Sequence, residues 1–289
     1  MPKKAIKKLF SAIGFEIRRV DTRSTPPPNF QDPLEAMFHV NCGEPATFTC
    51  MLSDCVIFNG FSFDQKGWHP FVYALNEFRE NRGREFEGSR LDSYYRAWQP
   101  ADAAEALIGL TEAPEVLKRY PSFIKHVPWL NLGCEERLNQ ISRILCEENA
   151  GHGHPELGVR DGYGLHGPVS PAKGRLEYRR LTGLFEKIER EGFRCSGNAI
   201  AVQILKRGNE FRFWVAHGYH RTAVLKALGH EEFQAAPTMV VDVNEVDHWP
   251  QVYRGTWTRK QALDYFDHCF DFDAVAWARA RGLTSYIST

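Results

Sequence analysis

Residues 200–229 of the chain read IAVQILKRGNEFRFWVAHGYHRTAVLKALG, and their pattern predicts the architecture of the second half. Alternate positions of its first five residues hold Ile, Val and Ile, which predicts a half-buried strand. Gly208 and Asn209 then form a typical turn dipeptide, and residues 211–215 supply a second strand. A glycine turn leads directly into a short helix, predicted over residues 222–228.

The flanks of this stretch extend the pattern. Before it, leucines at helical spacing predict a helix that ends at Gly192, and after it residues 238–243 predict a third strand. The order is helix, strand, strand, turn, helix, strand. We therefore expect an α+β fold.

The glycine turn between the second strand and the helix is a candidate anion site. The first turn of a helix has unpaired N–H groups and the positive end of the helix dipole. Gly218 lets the backbone approach a ligand, His220 and Arg221 add charge, and the N–H groups of Thr222 and Ala223 are the predicted phosphate donors. A purely structural turn with surface cations has the same pattern, so spacing alone leaves both interpretations open.

The sequence around this turn resembles the ParB/sulfiredoxin-like superfamily of nucleotide-binding domains. The similarity covers about residues 168–243 and is centred on GYHR at residues 218–221 and on the preceding helix, headed by Glu177. Sulfiredoxins carry a Cys where this chain has Tyr219, and a thiolate is needed for their repair chemistry. Chromosome-partition members have an acidic turn and additional DNA-reading helices. The Gly-His-His-Arg-like turn of the free-serine kinases is the most similar.

The resemblance implies a kinase-like enzyme that uses ATP or another nucleotide with Mg²⁺. Glu177 matches the glutamate that activates the acceptor hydroxyl in those kinases, although a solvated first-turn Glu has the same pattern. Asp161 and Glu156 are candidate Mg²⁺ ligands. Three arginines near Glu177 could hold an anionic acceptor or form a solvated helix face: Arg175, Arg179 and Arg180. The chain has His217 where the kinases have Asp, which favours a non-enzymatic alternative.

Two function classes follow from these observations. The first is a nucleotide-dependent phosphotransferase acting on a hydroxyl of a small molecule or a bacterial surface-glycan precursor. The glycan suggestion comes from residues 7–19, which resemble the opening of enzymes that build surface polysaccharides. The alternative is a non-enzymatic ParB-like nucleotide- or DNA-binding module. A formal net charge of zero and the absence of a recognition-helix pattern disfavour nucleic acid as a partner.

The 289 residues divide into four predicted regions. They are a basic amphipathic helix (1–24), an N-terminal α/β region (25–149), the ParB/sulfiredoxin-like domain (150–248) and a C-terminal helical cap (249–289). Residues 3–19 could contact an anionic membrane surface or dock on the protein itself. No secretory signal is visible and the seven cysteines are scattered, so we expect a cytoplasmic protein, able to act at the inner membrane face.

The first half carries weaker patterns. Residues 44–63 predict a hairpin that breaks at residues 53–54, and further helices are predicted after Pro70, over residues 101–110 and over residues 134–148. The glycine-rich segment 149–174 is either a linker or a binding loop. Zinc binding by Cys42, Cys50 and Cys55, or by the His pairs at 152/154 and 217/220, is weighed against ordinary packing and hydrogen bonding, which the spacing favours.

Overall fold

The computed structural model describes residues 26–64, 67–193 and 199–283, so the basic helix predicted within residues 1–24 lies outside it. The described strands are β1 (Asn29–Phe30), β2 (Thr47–Met51), β3 (Cys55–Val56), β4 (Ile200–Arg207), β5 (Glu210–His217) and β6 (Glu232–Asp242). The described helices are α1 (Pro33–Asn41), α2 (Pro70–Glu80), α3 (Arg90–Ala97), α4 (Cys134–Gly151), α5 (Pro171–Glu191), α6 (Tyr219–Ala227), α7 (Pro250–Tyr253), α8 (Arg259–Asp271) and α9 (Ala274–Arg279). None of these helices is both long and apolar enough to cross a membrane.

One mixed sheet of six strands organises the described residues, in the order β1-β2-β6-β4-β5-β3. β4 pairs antiparallel with β5 and parallel with β6, while β2 pairs antiparallel with β6. The α+β class is therefore confirmed. Strands from residues 29–56 and from residues 200–242 share this sheet, so it joins the two regions that the sequence suggests are separate.

Both faces of the sheet are covered by apolar side chains. Because successive residues of a strand point to opposite faces, Ile204 and Leu205 of β4 lie in two different buried clusters. The cluster around Ile204 includes side chains of α2 and α5, and the cluster around Leu205 includes side chains of α8. The helices that carry the candidate site therefore pack on one face of the sheet.

The predicted hairpin over residues 44–63 is wrong, although its break is real. A short 3-10 turn, Leu52–Asp54, separates β2 from β3, but the two strands do not pair with each other. β2 pairs with β6, and β3 pairs with β5. The Sγ atoms of Cys50 and Cys55 are nevertheless 3.5 Å apart, because only the short Leu52–Asp54 turn and one further residue separate them along the chain.

The predicted helix over residues 101–110 is also wrong. The segment makes a series of turns, because its backbone groups bind partners elsewhere in the protein: Ala103 N–H donates to the Tyr120 carbonyl, and the Ala106 carbonyl accepts from the Asn59 amide. The other local predictions are confirmed by α2, α4, α5 and the β4–β5 hairpin. α6 begins three residues before its predicted start, and β6 begins six residues before.

Candidate functional site

The candidate site lies where β5 ends and α6 begins. Gly218 links them with φ +103°, in the left-handed region that favours glycine. A Cβ at this position would lie 3.0 Å from Arg221 Nη2 and 3.2 Å from Ile200 Cγ1. The left-handed backbone therefore favours glycine here, an added Cβ would crowd Arg221 and Ile200, and Gly218 is the N-terminal cap of α6.

The backbone donors of this turn lie earlier than the sequence indicates. Thr222 N–H donates to the Gly218 carbonyl (2.9 Å), and its hydroxyl donates to the same carbonyl (3.1 Å). Ala223 follows inside α6, and both residues are fully buried. The predicted donors Thr222 and Ala223 are therefore already used within the helix. The N–H groups outside the helical pattern include those of Gly218, Tyr219 and His220.

Glu177 does not head its helix. Ser170 caps α5, with its hydroxyl accepting from Lys173 N–H, and Pro171 fills the first position. Glu177 therefore lies in the second turn of α5 and is 2 % exposed. The prediction of a glutamate at the helix head is wrong, and so is the alternative of a solvated first-turn side chain.

The Glu177 carboxylate is held by three cationic or imidazole groups. Its Oε1 lies 2.5 Å from Lys173 Nζ and 2.8 Å from Arg180 Nη1, and its Oε2 lies 3.1 Å from His220 Nε2. Burial by itself raises the pKa of this carboxyl, but His220, Arg180 and Lys173 together outweigh burial and hold the pKa far below its usual range. A carboxylate with so low a pKa is a poor general base.

The charges around Glu177 are balanced within α4 and α5. Arg180 also pairs with Glu148, which lies near the end of α4, and Lys173 Nζ donates to the Asn149 side-chain carbonyl at 2.7 Å. Two cations therefore meet two carboxylates. We conclude that Glu177 connects α5 to the first turn of α6 and fixes the position of His220.

The glycine-rich segment covers Glu177. Gly164 has φ +86°, and a Cβ there would lie only 2.7 Å from Glu177 Cγ. Two buried tyrosines of α3 hold this part of the segment, since Tyr95 OH donates to the Gly164 carbonyl and Tyr94 OH to the Leu165 carbonyl, each at 2.6 Å. The segment is therefore packed against the protein at this point and is not a linker, and these aromatic residues are part of the core.

A buried lysine that no sequence pattern indicated lies beside the beginning of α6. Lys125 has φ +47°, is 3 % exposed, and donates from Nζ to Tyr219 OH at 2.9 Å. Its Nζ lies 4.4 Å and 4.5 Å from the ring centroids of Tyr163 and Tyr219. Burial lowers the pKa of Lys125 well below its usual range, and the charge of Arg137 lowers it further.

Two histidines lie at the margin of the same charged region. Burial lowers the pKa of His217, and the charges of Lys125 and Arg137 lower it further. Burial and the charge of Arg180 likewise lower the pKa of His152. Both imidazoles are therefore neutral at pH 7.

Only one of the three predicted acceptor arginines reaches this site. Arg180 contacts Glu177, as described above. Arg175 is exposed and pairs with Glu87, and Arg179 is exposed and lies 3.0 Å from His154 Nε2. Arg175 and Arg179 thus lie on the solvated face of α5, which corresponds to the alternative interpretation of these residues.

The two predicted Mg²⁺ ligands are engaged elsewhere. Asp161 Oδ2 accepts from Gly158 N–H at 2.9 Å, and Glu156 Oε1 lies 2.8 Å from His154 Nδ1. Among residues 26–64, 67–193 and 199–283, no group of three or more His, Cys, Asp or Glu side chains is arranged to hold a metal ion.

Neither a family model, nor a curated protein, nor a solved structure matches this chain. The resemblance to the ParB/sulfiredoxin-like superfamily therefore stays a prediction from the GYHR turn. Function has to be inferred from the residues around Gly218, Glu177 and Lys125.

Proposed function

We propose that the protein is a nucleotide-dependent phosphotransferase. It binds the phosphates of ATP or a related nucleotide at the beginning of α6 and transfers a phosphoryl group to a hydroxyl of a small molecule or glycan precursor. The observation that carries the proposal is the left-handed Gly218, which opens the positive end of α6 beside His220 and Arg221.

Uncompensated positive charge supports a phosphate ligand. Lys125 Nζ donates a hydrogen bond to the Tyr219 hydroxyl, and Arg137 donates to the Ile124 carbonyl and to the Gln140 side chain. Within the described part of the chain, neither cation forms an ion pair with a carboxylate. The Arg137 guanidinium stays charged and favours an anion nearby, and a phosphate bound beside Lys125 would raise the lowered pKa of that lysine.

Mg²⁺ enters this proposal with the nucleotide. Magnesium sites at phosphate-transferring enzymes commonly use one or two carboxylates, with water and phosphate oxygens as the other ligands. Asp161 and Glu156 stay the candidate carboxylates, each with one oxygen engaged by a neighbour: Gly158 N–H and His154 Nδ1. The ion's chemical contribution is to neutralise charge on the transferring phosphate.

Calorimetric titration of ATP, ADP, CTP and GTP with Mg²⁺ tests the binding step. We expect binding to the wild type and at least a tenfold loss of affinity in Arg221→Ala, about 1.4 kcal/mol. Gly218→Ala should have the same effect, because it displaces the turn. Gly229→Ala is its matched control: φ is +85° there, but nothing lies within 4 Å of the added Cβ. The proposal would be contradicted if no nucleotide bound the wild type, or if Gly218→Ala and Gly229→Ala bound nucleotide with equal affinity.

A second candidate is a non-enzymatic nucleotide-binding module. The low pKa of Glu177 and the presence of His217 where the similar kinases have Asp favour it. Release of ADP from ATP, measured with and without free serine or glucose as hydroxyl probes, separates the candidates. Acceptor-stimulated release supports the phosphotransferase, whereas tight binding without release by any acceptor supports the binding module.

A further inference from the structure

The imidazole of His220 is fixed in one orientation. Its Nε2 lies 3.1 Å from Glu177 Oε2, and its ring stacks on Phe71 of α2 with 4.9 Å between centroids and 18° between planes. Its side chain is 20 % exposed, so one edge of the ring reaches solvent. Among the residues that the structure describes, Nδ1 has no hydrogen-bond partner.

The charges around Glu177 are balanced without a contribution from His220. Lys173 and Arg180 form ion pairs with Glu177, and Arg180 also pairs with Glu148, so two cations meet two carboxylates. In the neutral tautomer whose Nε2–H donates to Glu177, the lone pair of Nδ1 is available. A carboxylate on one ring nitrogen and an open lone pair on the other is the arrangement of an oriented nucleophilic histidine.

We infer that His220 is the catalytic nucleophile of the proposed phosphotransferase and forms a covalent phosphohistidine at Nδ1. This inference rests on the proposed function and deepens it. Nδ1 attacks the terminal phosphorus of the nucleoside triphosphate, and the bond from that phosphorus to the bridging oxygen breaks. The bond's electron pair leaves with the nucleoside diphosphate.

The second half of the reaction returns the histidine to its starting state. The acceptor hydroxyl attacks phosphorus, the P–N bond breaks, and its electron pair returns to Nδ1. The hydroxyl proton is released to solvent. Glu177 acts as a positioning residue: its carboxylate holds Nε2–H and stabilises the positive charge that develops on the ring while phosphorus is bound.

The surroundings suit a phosphorylated His220. The residue occupies the second position of α6, where a phosphoryl dianion meets the N–H groups of Gly218 and Tyr219 and the positive end of the helix dipole. Of the other titratable groups near His220, His69 is neutral at pH 7, because burial lowers its pKa to about 3. His152, also near His220, is neutral at pH 7 for the reasons given above.

The test is protein labelling with γ-³²P-labelled nucleoside triphosphates in Mg²⁺, followed by acid and base treatment. We expect a label on the wild type that survives base and is lost in mild acid, as for a phosphoramidate. His220→Gln should lose the label completely. Its amide N–H can still donate to Glu177, so this variant removes the nucleophile and keeps the contact between α5 and α6. His230→Ala, in an exposed histidine just beyond the other end of α6, is the control and should be labelled like the wild type.

Two results overturn the inference without touching the proposed function. One is phosphoryl transfer to an acceptor with no protein label, and the other is an acid-stable label or one that persists in His220→Gln. Calorimetry on the same proteins distinguishes failure of the phosphohistidine inference from failure of the proposed function, because His220→Gln should retain measurable nucleotide binding. If no nucleotide binds the wild type, the proposed function fails, and the phosphohistidine fails with it. Glu177→Gln tests the positioning role of Glu177: the rate of labelling should fall, while the labelled residue should still be His220.

Discussion

At the scale of single residues, the environment of Glu177 decides what the site can do. Lys173 and Arg180 are four residues before it and three after it, spacings that place all three side chains on one face of a helix. That much could be predicted from the sequence. The contact with His220 could not, because it depends on how α6 packs against α5. A glutamate that resembles a catalytic base is thus buried and ion-paired, and we propose that it positions His220.

Replacing Glu177 by Gln should lower the free energy of unfolding by about 3–5 kcal/mol, because it leaves Lys173 buried without a carboxylate and Arg180 with Glu148 alone. Urea denaturation measures this change. The matched control is Glu87→Gln, which breaks the exposed ion pair with Arg175 and should cost less than about 1 kcal/mol. Equal losses in the two variants would mean that burial adds nothing to the Glu177 interactions.

Glu177→Gln should also alter how the free energy of unfolding depends on pH. Because the folded-state pKa of Glu177 is lowered, its contribution is fully present above the unfolded pKa of about 4.3 and is lost as the pH falls through the folded value. Urea curves for the wild type from pH 7 to pH 3 should therefore lose more stability than those for Glu177→Gln. If the wild type and Glu177→Gln lost the same stability between pH 7 and pH 3, the lowered pKa of Glu177 would be contradicted.

At the scale of elements, the successful predictions are those whose signals are local. The Gly208-Asn209 turn specifies the β4–β5 hairpin, and the Ser170-Pro171 start with Gly192 at the end delimits α5. The failures depend on distant partners. β2 pairs with residues of β6 that are nearly 200 positions away in sequence. The 101–110 segment is not helical, because its backbone groups form hydrogen bonds with the Tyr120 carbonyl and the Asn59 amide.

The glycine-rich segment has its own test. Gly164→Ala should destabilise the protein and lower its nucleotide affinity, because the added Cβ would overlap the Glu177 side chain and displace it from His220. Gly153→Ala is matched in backbone conformation, with φ +84°, and nothing lies within 4 Å of its Cβ. It should show only the strain of a left-handed alanine, about 1–2 kcal/mol. Denaturation and calorimetry compare the pair, and similar nucleotide affinities in both variants would mean that the segment does not control the site.

At the scale of the whole molecule, the site is assembled from parts of the chain that are far apart. The Gly218 turn could be predicted because its residues are contiguous. Lys125, Arg137 and Glu148 could not, since they reach the site from α4 and from the turn before it, and nothing in their spacing relates them to α6. Phe71 of α2 likewise lies against His220 only because both regions pack on one face of the same sheet.

A fragment of residues 150–248, the predicted nucleotide-binding domain, should therefore not fold by itself. It would expose the edge of β6 that pairs with β2 and remove Phe48, a fully buried residue whose ring lies 5.0 Å from that of Phe213. It would also lack α2, whose Arg79 donates to the Ala227 carbonyl at the end of α6.

Circular dichroism during urea titration should show no cooperative transition for the fragment and a single one for the full chain. Co-expression of residues 1–149 with residues 150–289 is the control, because it restores these partners and should recover both the transition and nucleotide binding. A fragment that unfolds cooperatively and binds nucleotide with full-chain affinity would instead establish residues 150–248 as an autonomous domain.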